Sequence, residues 1–319
     1  MTLRVLDEHD VRRLLPMSEC IDLMADALGS LARGEIYMPL RTMVRPPGEE
    51  SLLALMSSHR GGDRRLWGLK TITLFPSNPA RGLDMHQGFV AIFDGETGQV
   101  RGILSTSAIT AVRTAAVSGL ATRLLARPEA RTVAIIGAGV QARAHVDAMR
   151  AARDFDSIVG YSRTPGRVAA ELDGVEEAES AEQAVRGADV VVTATSSKEP
   201  VLRREWLSPG THVNAVGAIA PARELDTETV RDAAFFVDLR ESALNESAEY
   251  LVAAQEGAIG PDHIRAEIGE LVIGAGEGRR NADELTVFKS LGLAVEDLVA
   301  ADYALGRAEA ENVGTVASL

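Results

Sequence analysis

The sequence predicts an α/β protein in two parts, a doubly wound parallel sheet and a mixed α+β domain. Three observations carry this. The 319 residues exceed the size at which a single core usually stops growing, so two domains are expected. After Arg113, short apolar strands alternate with glycine turns and helical stretches, the pattern of a parallel sheet covered on both faces. Between Tyr37 and Val100, β-branched and apolar runs are punctuated by Pro46-Pro47-Gly48, Gly61-Gly62 and Asp94-Gly95, the texture of an antiparallel sheet.

In chain order, Ile21, Met24, Leu28 and Leu31 recur three or four apart and predict a helix from Ser18 to Arg33 with one buried face. Strands are predicted at Thr42 to Val44, Leu52 to Met56, Trp67 to Leu74 and Gly88 to Phe93. The second part begins with a strand from Thr132 to Ile136, a helix from about Gln141 to Ala152 and a strand from Ser157 to Tyr161. Further strands follow at Val190 to Ala194, His212 to Ala215 and Phe235 to Asp238. The carboxyl-rich run Glu176 to Glu182 reads as a solvated helix face, and Leu285 to Arg307 as one long amphipathic helix able to pack back on the first domain. The predicted division is residues 1–116 for substrate binding and dimerisation, 117–296 for dinucleotide binding, and 297–319 for a returning C-terminal helix.

Composition narrows the function. With 46% hydrophobic and 25% charged residues the chain is of ordinary globular make-up, and a formal net charge of -13 argues against a nucleic-acid partner. A single cysteine, Cys20, makes no internal disulfide, and no Cys/His cluster has metal-ligand spacing, so no metal is expected. The N-terminus mixes charges with apolar residues, and no apolar run approaches membrane-spanning length; a cytoplasmic protein with no membrane partner is expected.

The segment Val133-Ala134-Ile135-Ile136-Gly137-Ala138-Gly139-Val140-Gln141-Ala142 places Gly137, Gly139 and Ala142 as GxGxxG/A between a strand and a helix. The first glycine makes the turn, the second lets backbone approach a pyrophosphate, and the third small residue lets helix pack on strand. This is the opening of a Rossmann-type dinucleotide domain. An NAD enzyme usually carries an acid at the end of the next strand to bind the ribose 2′-hydroxyl. Here Tyr161 is followed by Ser162-Arg163-Thr164, which points to NADP(H), with NAD(H) the second choice.

In an acidic protein, Arg41, Lys70 and Arg113 stand inside or beside apolar segments. Each needs either a protein carboxylate or a bound anion. Singly they read as structural ion pairs; as a set they make a carboxylate clamp, Arg41 bidentate and Lys70 a point charge. His86 stands at a turn before a strand, where it is either a general acid/base or a hydrogen-bonded loop histidine.

Taken together, Arg41-Thr42, Lys70-Thr71, Ile109 to Ala116, Gly137 to Ala142 and Thr286-Val287-Phe288-Lys289-Ser290-Leu291-Gly292 resemble the ornithine cyclodeaminase/mu-crystallin family over nearly the whole chain. The resemblance implies a homodimer that transfers hydride between NAD(P)(H) and a small imino or amino acid. It implies that Arg41 and Lys70 bind the substrate carboxylate, that Arg113 lies by substrate and cofactor, and that His86 lies near the nicotinamide. Cofactor contacts carry over to Ala138, Gly139, Gln141, Ser162, Arg163, Thr195, Val216 and Ser290, with Thr114, Gly137, Val140, Thr164, Ser196 and Gly217 beside them.

Asn214 to Ala218, Trp206 to Gly210, Ser162 to Thr164 and Val295 to Leu298 are similar to the mu-crystallin branch. That branch implies reduction of the C=N bond of a 2-imino carboxylate, or the reverse amino-acid dehydrogenation. The alternatives are ornithine cyclodeamination and non-catalytic binding of NADP(H) or a small carboxylate. Where cyclodeaminases carry an aspartate this sequence has Ile219, unless a one-residue gap brings Glu224 or Asp226 into its place.

Overall fold

The computed structural model describes residues 2–217 and 223–318, and Ile219 lies outside them. The chain divides into two units, Met1–Arg113 with Leu293–Leu319, and Thr114–Gly292. The sequence reading had set the divisions at 116/117 and 296/297.

The first unit opens with β1 (Thr2–Leu6), α1 (Glu8–Leu14) and α2 (Met17–Ala32). Then come β2 (Ile36–Tyr37), β3 (Thr42–Val44), β4 (Leu52–Arg60), β5 (Leu66–Leu74), β6 (His86–Asp94) and β7 (Val100–Ser105). Helix α3 (Thr106–Leu125) contains the division between the units. The second unit continues with β8 (Thr132–Ile136), α4 (Val140–Ala152), β9 (Ser157–Tyr161), α5 (Arg167–Glu171), β10 (Glu176–Glu177) and α6 (Ala181–Val185). It runs on through β11 (Val190–Thr193), β12 (His212–Ala215), α7 (Thr227–Asp232), β13 (Ala234–Val237), α8 (Arg240–Glu246) and α9 (Ala248–Gln255). It closes with β14 (Ile264–Glu267), α10 (Ile268–Val272) and β15 (Thr286–Lys289), after which α11 (Ala294–Glu311) and β16 (Thr315–Ser318) return to the first unit.

The first unit's sheet has the order β16-β1-β7-β6-β5-β4-β2, with β3 also on β4. It is mixed rather than purely antiparallel, because β1 runs parallel to β7 while the other pairs are antiparallel. Helix α11 lies on β4, β5 and β6 and against α2. Two strand glycines let it approach: a Cβ at Gly68 would stand 2.9 Å from Leu298, and one at Gly102 2.7 Å from Leu305. Both leucines are buried, each worth roughly 1.5–3 kcal/mol relative to exposure.

The second unit's sheet, in the order β10-β9-β8-β11-β12-β15-β13-β14, is parallel throughout. The chain goes from β8 outward to β9 and β10, then crosses to β11 on the other side of β8. Strand order therefore reverses at β8, and in such sheets ligands bind at the carboxyl ends of the strands at this point. Every residue of β11, β12, β13 and β15 is buried, as strands covered on both faces require.

Two expectations are corrected. Leu285 to Arg307 is not one helix: Thr286–Lys289 form β15 between β12 and β13, and the helix begins at Ala294. Four consecutive buried residues suit a sheet covered on both faces, whereas a one-sided helix would expose some of them; Gly292, with φ 76°, then turns the chain. Glu176 to Glu182 is not a solvated helix face either. Glu176–Glu177 form β10, and Glu177 accepts hydrogen bonds from the backbone N–H groups of Gly166 (2.8 Å) and Ala169 (3.2 Å), which leaves α6 to begin at Ala181.

Candidate active site

In the second unit, the glycine turn leaves the end of β8 at the reversal point. Gly137 has φ 125°, and a Cβ there would lie 2.4 Å from the carbonyl oxygen of Ala194. Only glycine meets both conditions. Gly139 is the N-cap of α4 without a side-chain cap, and a Cβ there would meet nothing within 4 Å. Open space and unspent N–H groups thus coincide where a pyrophosphate binds in this kind of turn. Ala142, the third small position, is fully buried. Val140 is exposed on the first turn of α4.

The other predicted cofactor residues of this unit cluster at the same sheet end. Ser162, Arg163 and Thr164 follow β9, with Arg163 and Thr164 exposed and no carboxylate among them. Thr195 and Ser196 follow β11, Val216 and Gly217 follow β12, and Ser290 follows β15. The Oε1 of Gln141 and the Oγ of Ser290 are buried with no hydrogen-bond partner among the described residues. Orphaned polar atoms at this sheet end fit a polar ligand that supplies their partners. Thr114 is buried on α3.

Beneath these loops lies a network that the sequence reading did not place. Glu224, 1% exposed, accepts from Thr193 Oγ1 (2.8 Å), Thr195 N (2.6 Å), Thr195 Oγ1 (2.8 Å) and Gly217 N (2.5 Å). Its own N–H donates to Glu249 (3.0 Å), and Lys289 pairs with Glu249 (3.1 Å) and donates to the Gly217 carbonyl (2.5 Å). Burial raises the Glu224 pKa, opposed by the Lys289 charge and by the Thr193 and Thr195 donors. Four donors on one carboxylate tie the ends of β11 and β12 together, and Lys289 adds β15. Asp226 caps α7 through Thr229 N (2.9 Å) and accepts from Arg204 N (3.0 Å). Both acids considered for the base of this region are thus engaged by backbone N–H groups.

In the first unit, Lys70 sits in mid-β5 between Met56 and Val90 and is 3% exposed. Its ammonium donates to Thr110 Oγ1 (2.7 Å) and Asp297 Oδ1 (3.0 Å). Arg113 donates through Nε to the same Asp297 oxygen (2.9 Å) and through Nη1 to Glu296 (2.7 Å). Protein carboxylates on α11 therefore already balance both cations, as the ion-pair reading required. An ammonium has three donors, however, and the third N–H of Lys70 has no acceptor among the described residues. Burial lowers the Lys70 pKa to about 8; Asp297 opposes this, and Arg113 and Arg41 add to it. Arg41, half-buried just before β3, thus belongs to the same electrostatic cluster. So does His86, the first residue of β6: its side chain is exposed, yet partial desolvation and, after it, the Lys70 charge hold its pKa below the usual histidine value. Burial pushes up the pKa of Cys20 on α2, with Arg113 and Glu296 the charges that act on it.

The sequence matches the Ornithine cyclodeaminase/mu-crystallin family profile over residues 2–312. The chain belongs to the ornithine cyclodeaminase/mu-crystallin family. It is 38% identical to the mouse (Mus musculus) ketimine reductase mu-crystallin over 273 residues, 84% of each chain. Its structure is similar to that of Thermococcus litoralis Δ1-pyrroline-2-carboxylate reductase in complex with NADH and L-proline, with a TM-score of 0.94, 36% identity, and 98% of this chain and 99% of that chain covered. It is also similar to an archaeal alanine dehydrogenase dimer with bound NAD, with a TM-score of 0.93, 32% identity and both chains fully covered.

Sequence reasoning had given no role to Asp297, Glu296, Glu249 and Lys289, and had weighed Glu224 only as a replacement for the aspartate absent at Ile219. Two of these carried a signal: the adjacent carboxylates of Leu293-Ala294-Val295-Glu296-Asp297-Leu298-Val299 interrupt an otherwise apolar run, as partners of buried cations do. Among the described residues there is no group of three or more His, Cys, Asp or Glu placed to hold a metal ion, and no helix long and apolar enough to cross a membrane.

Proposed function

We propose that this protein reduces the C=N bond of a small 2-imino carboxylate with NADPH, and in reverse oxidises the corresponding amino acid. The observation that carries the reading is Lys70, a buried ammonium with one unspent N–H and a pKa brought to about 8. A group of that acidity donates a proton readily near neutral pH.

Gly137 to Gln141 with Thr195, Val216 and Ser290 would hold the nicotinamide cofactor, which would supply the hydride for the imine carbon. As the C=N π pair moves to nitrogen, Lys70 gives that nitrogen its proton and becomes a neutral amine, which solvent reprotonates. Arg41 pairs with the substrate carboxylate, whose planar geometry suits a guanidinium, and Arg113 steadies Asp297 and Glu296 behind Lys70. His86, neutral near pH 7, orients the substrate by hydrogen bonding. The named activities of the mouse and Thermococcus relatives support imine reduction.

NADP(H) is preferred over NAD(H) in this reading, because Ser162-Arg163-Thr164 presents a cation and hydroxyls to a ribose phosphate and no acid to a 2′-hydroxyl. The Thermococcus and archaeal neighbours carry NADH and NAD, so the cofactor is the feature most worth measuring. The archaeal dimer supports a homodimer here as well, and we read the protein as cytoplasmic. Steady-state reduction of Δ1-pyrroline-2-carboxylate with each cofactor tests the proposal: turnover with NADPH exceeding that with NADH tenfold is expected. Tight NADPH binding without turnover on any cyclic or linear imino acid would make the protein a binder instead.

A further inference from the structure

Lys70 and Arg113 donate to the same oxygen of one carboxylate, Asp297 Oδ1. A single hydrogen bond would oppose rotation of the ammonium about its Cε–Nζ bond only weakly. Two bonds, to Thr110 Oγ1 at 2.7 Å and Asp297 Oδ1 at 3.0 Å, fix all three N–H directions and hence the one that remains unspent. Asp297 is itself held by Arg113 Nε at 2.9 Å, and its Oδ2 is buried with no hydrogen-bond partner among the described residues. Leaving a buried carboxylate oxygen unpaired is unfavourable, and buried ion pairs seldom stabilise a fold better than apolar packing would. The arrangement serves chemistry better than stability.

We propose that Asp297 is a positioning residue for proton transfer, holding the Lys70 ammonium charged and aiming its unspent N–H; this rests on Lys70 being the proton donor proposed above. The groups that face Lys70 are Asp297 and Glu296 on α11, Arg113 and Thr110 on α3, Arg41 before β3 and His86 at the start of β6. The cross-strand neighbours Met56 and Val90 carry no charge. Asp297 favours the charged form of Lys70, against burial, Arg113 and Arg41. Removing its charge lowers the proton affinity of Lys70, so the protonated donor is lost at a lower pH.

The chain has only three lysines, Lys70, Lys198 and Lys289. Protein labelled with 13C at lysine Cε therefore gives three resonances, of which Lys70→Arg identifies one. In the wild-type protein the Lys70 resonance is expected to titrate near pH 8. In Asp297→Asn its midpoint falls by about one pH unit or more, the usual effect of losing an opposite charge at this distance. The alkaline limb of kcat for NADPH reduction of Δ1-pyrroline-2-carboxylate falls with it, and Asp297→Glu restores both. If Asp297→Asn does not fold, Asp297→Asn combined with Arg113→Gln removes one charge of each sign. The midpoint is still expected to fall, because Asp297 acts on Lys70 both through its charge and through a direct hydrogen bond, Arg113 through its charge alone. An unchanged midpoint overturns the inference about Asp297. A midpoint that falls while the kcat limb stays put overturns Lys70 as the donor, and the two failures are distinct.

Discussion

At position 70 a lysine stands in the middle of a sheet, and its partners among the described residues leave one of its protons unspent. Lys70→Ala removes that proton and leaves Asp297 to Arg113 alone, so kcat for imine reduction is expected to fall about a hundredfold or more, the usual cost of losing a general acid. Arg41→Ala acts on binding instead: the KM for the imino acid rises on the order of a hundredfold, while NADPH affinity read by nicotinamide fluorescence stays within about twofold. Arg41→Lys does not rescue it, because a point charge cannot reproduce a bidentate contact. Wild-type kcat in Lys70→Ala would leave the cluster with a purely structural role. In the second unit, at the proposed phosphate site, Arg163→Ala should narrow the proposed preference for NADPH about tenfold, in keeping with roughly 1.5–3 kcal/mol for a charge-assisted contact. A preference unchanged by the substitution would take Arg163 out of the phosphate site.

Among the elements, the strand ends of the parallel sheet are held by Glu224, which joins the segments after β11 and β12. Glu224→Gln presents an amide where N–H and O–H donors converge. We expect the NADPH dissociation constant to rise at least about tenfold, with the imino-acid KM at saturating NADPH unchanged; equal losses in both would mean general loosening. Two buried histidines of the same unit resist protonation. His145 bonds Ser118 (3.0 Å) and His212 bonds Thr286 (2.9 Å), and burial lowers their pKa values to about 4 and about 3. The unfolded chain takes up these protons below the ordinary value of 6.5, whereas the folded chain resists them. Their contribution to stability is therefore complete above pH 6.5 and lost as pH falls from there toward 4, on the order of a few kcal/mol in all. Thermal denaturation between pH 7 and pH 4.5 should show that slope, reduced in His145→Gln; an equal slope in the variant would assign it to other groups.

The elements also show which parts of the fold were legible. The predicted strand 132–136, helix 141–152 and strand 157–161 agree with β8, α4 and β9 to within one residue, because an apolar run, two glycines and a one-sided helix follow one another without ambiguity. Helix α3 was not read: Ala108, Ile109, Ala111, Val112, Ala115, Ala116 and Val117 are buried on several faces, which erases the helical period. Strand β15 was absorbed into the helix that follows it, since four apolar residues alone do not distinguish the two. Lys70 and Arg113 were visible as misplaced charges, while the carboxylates that meet them lie 183 to 227 residues further along the chain. Glu224, Glu249 and Lys289 come together only through the sheet order, which no local pattern encodes.

For the whole molecule, family membership and the distribution of acids bear on which reaction of the family is run. Cyclising ornithine needs a carboxylate to move protons near the reacting nitrogen, and the nearby candidates Glu224 and Asp226 are both bound to backbone N–H groups. Incubation with L-ornithine and NAD+ or NADP+ should therefore yield proline and ammonia at less than about a hundredth of the rate of imine reduction; comparable rates would make the protein a cyclodeaminase. The central claim is that hydride passes from the nicotinamide to an imine carbon of a 2-imino carboxylate. It is tested most directly by supplying NADPH deuterated at both C4 positions with Δ1-pyrroline-2-carboxylate and analysing the product by mass spectrometry. The account predicts proline carrying one deuterium, located at Cα. Bound NADPH left unoxidised, or proline formed without that deuterium, would contradict it.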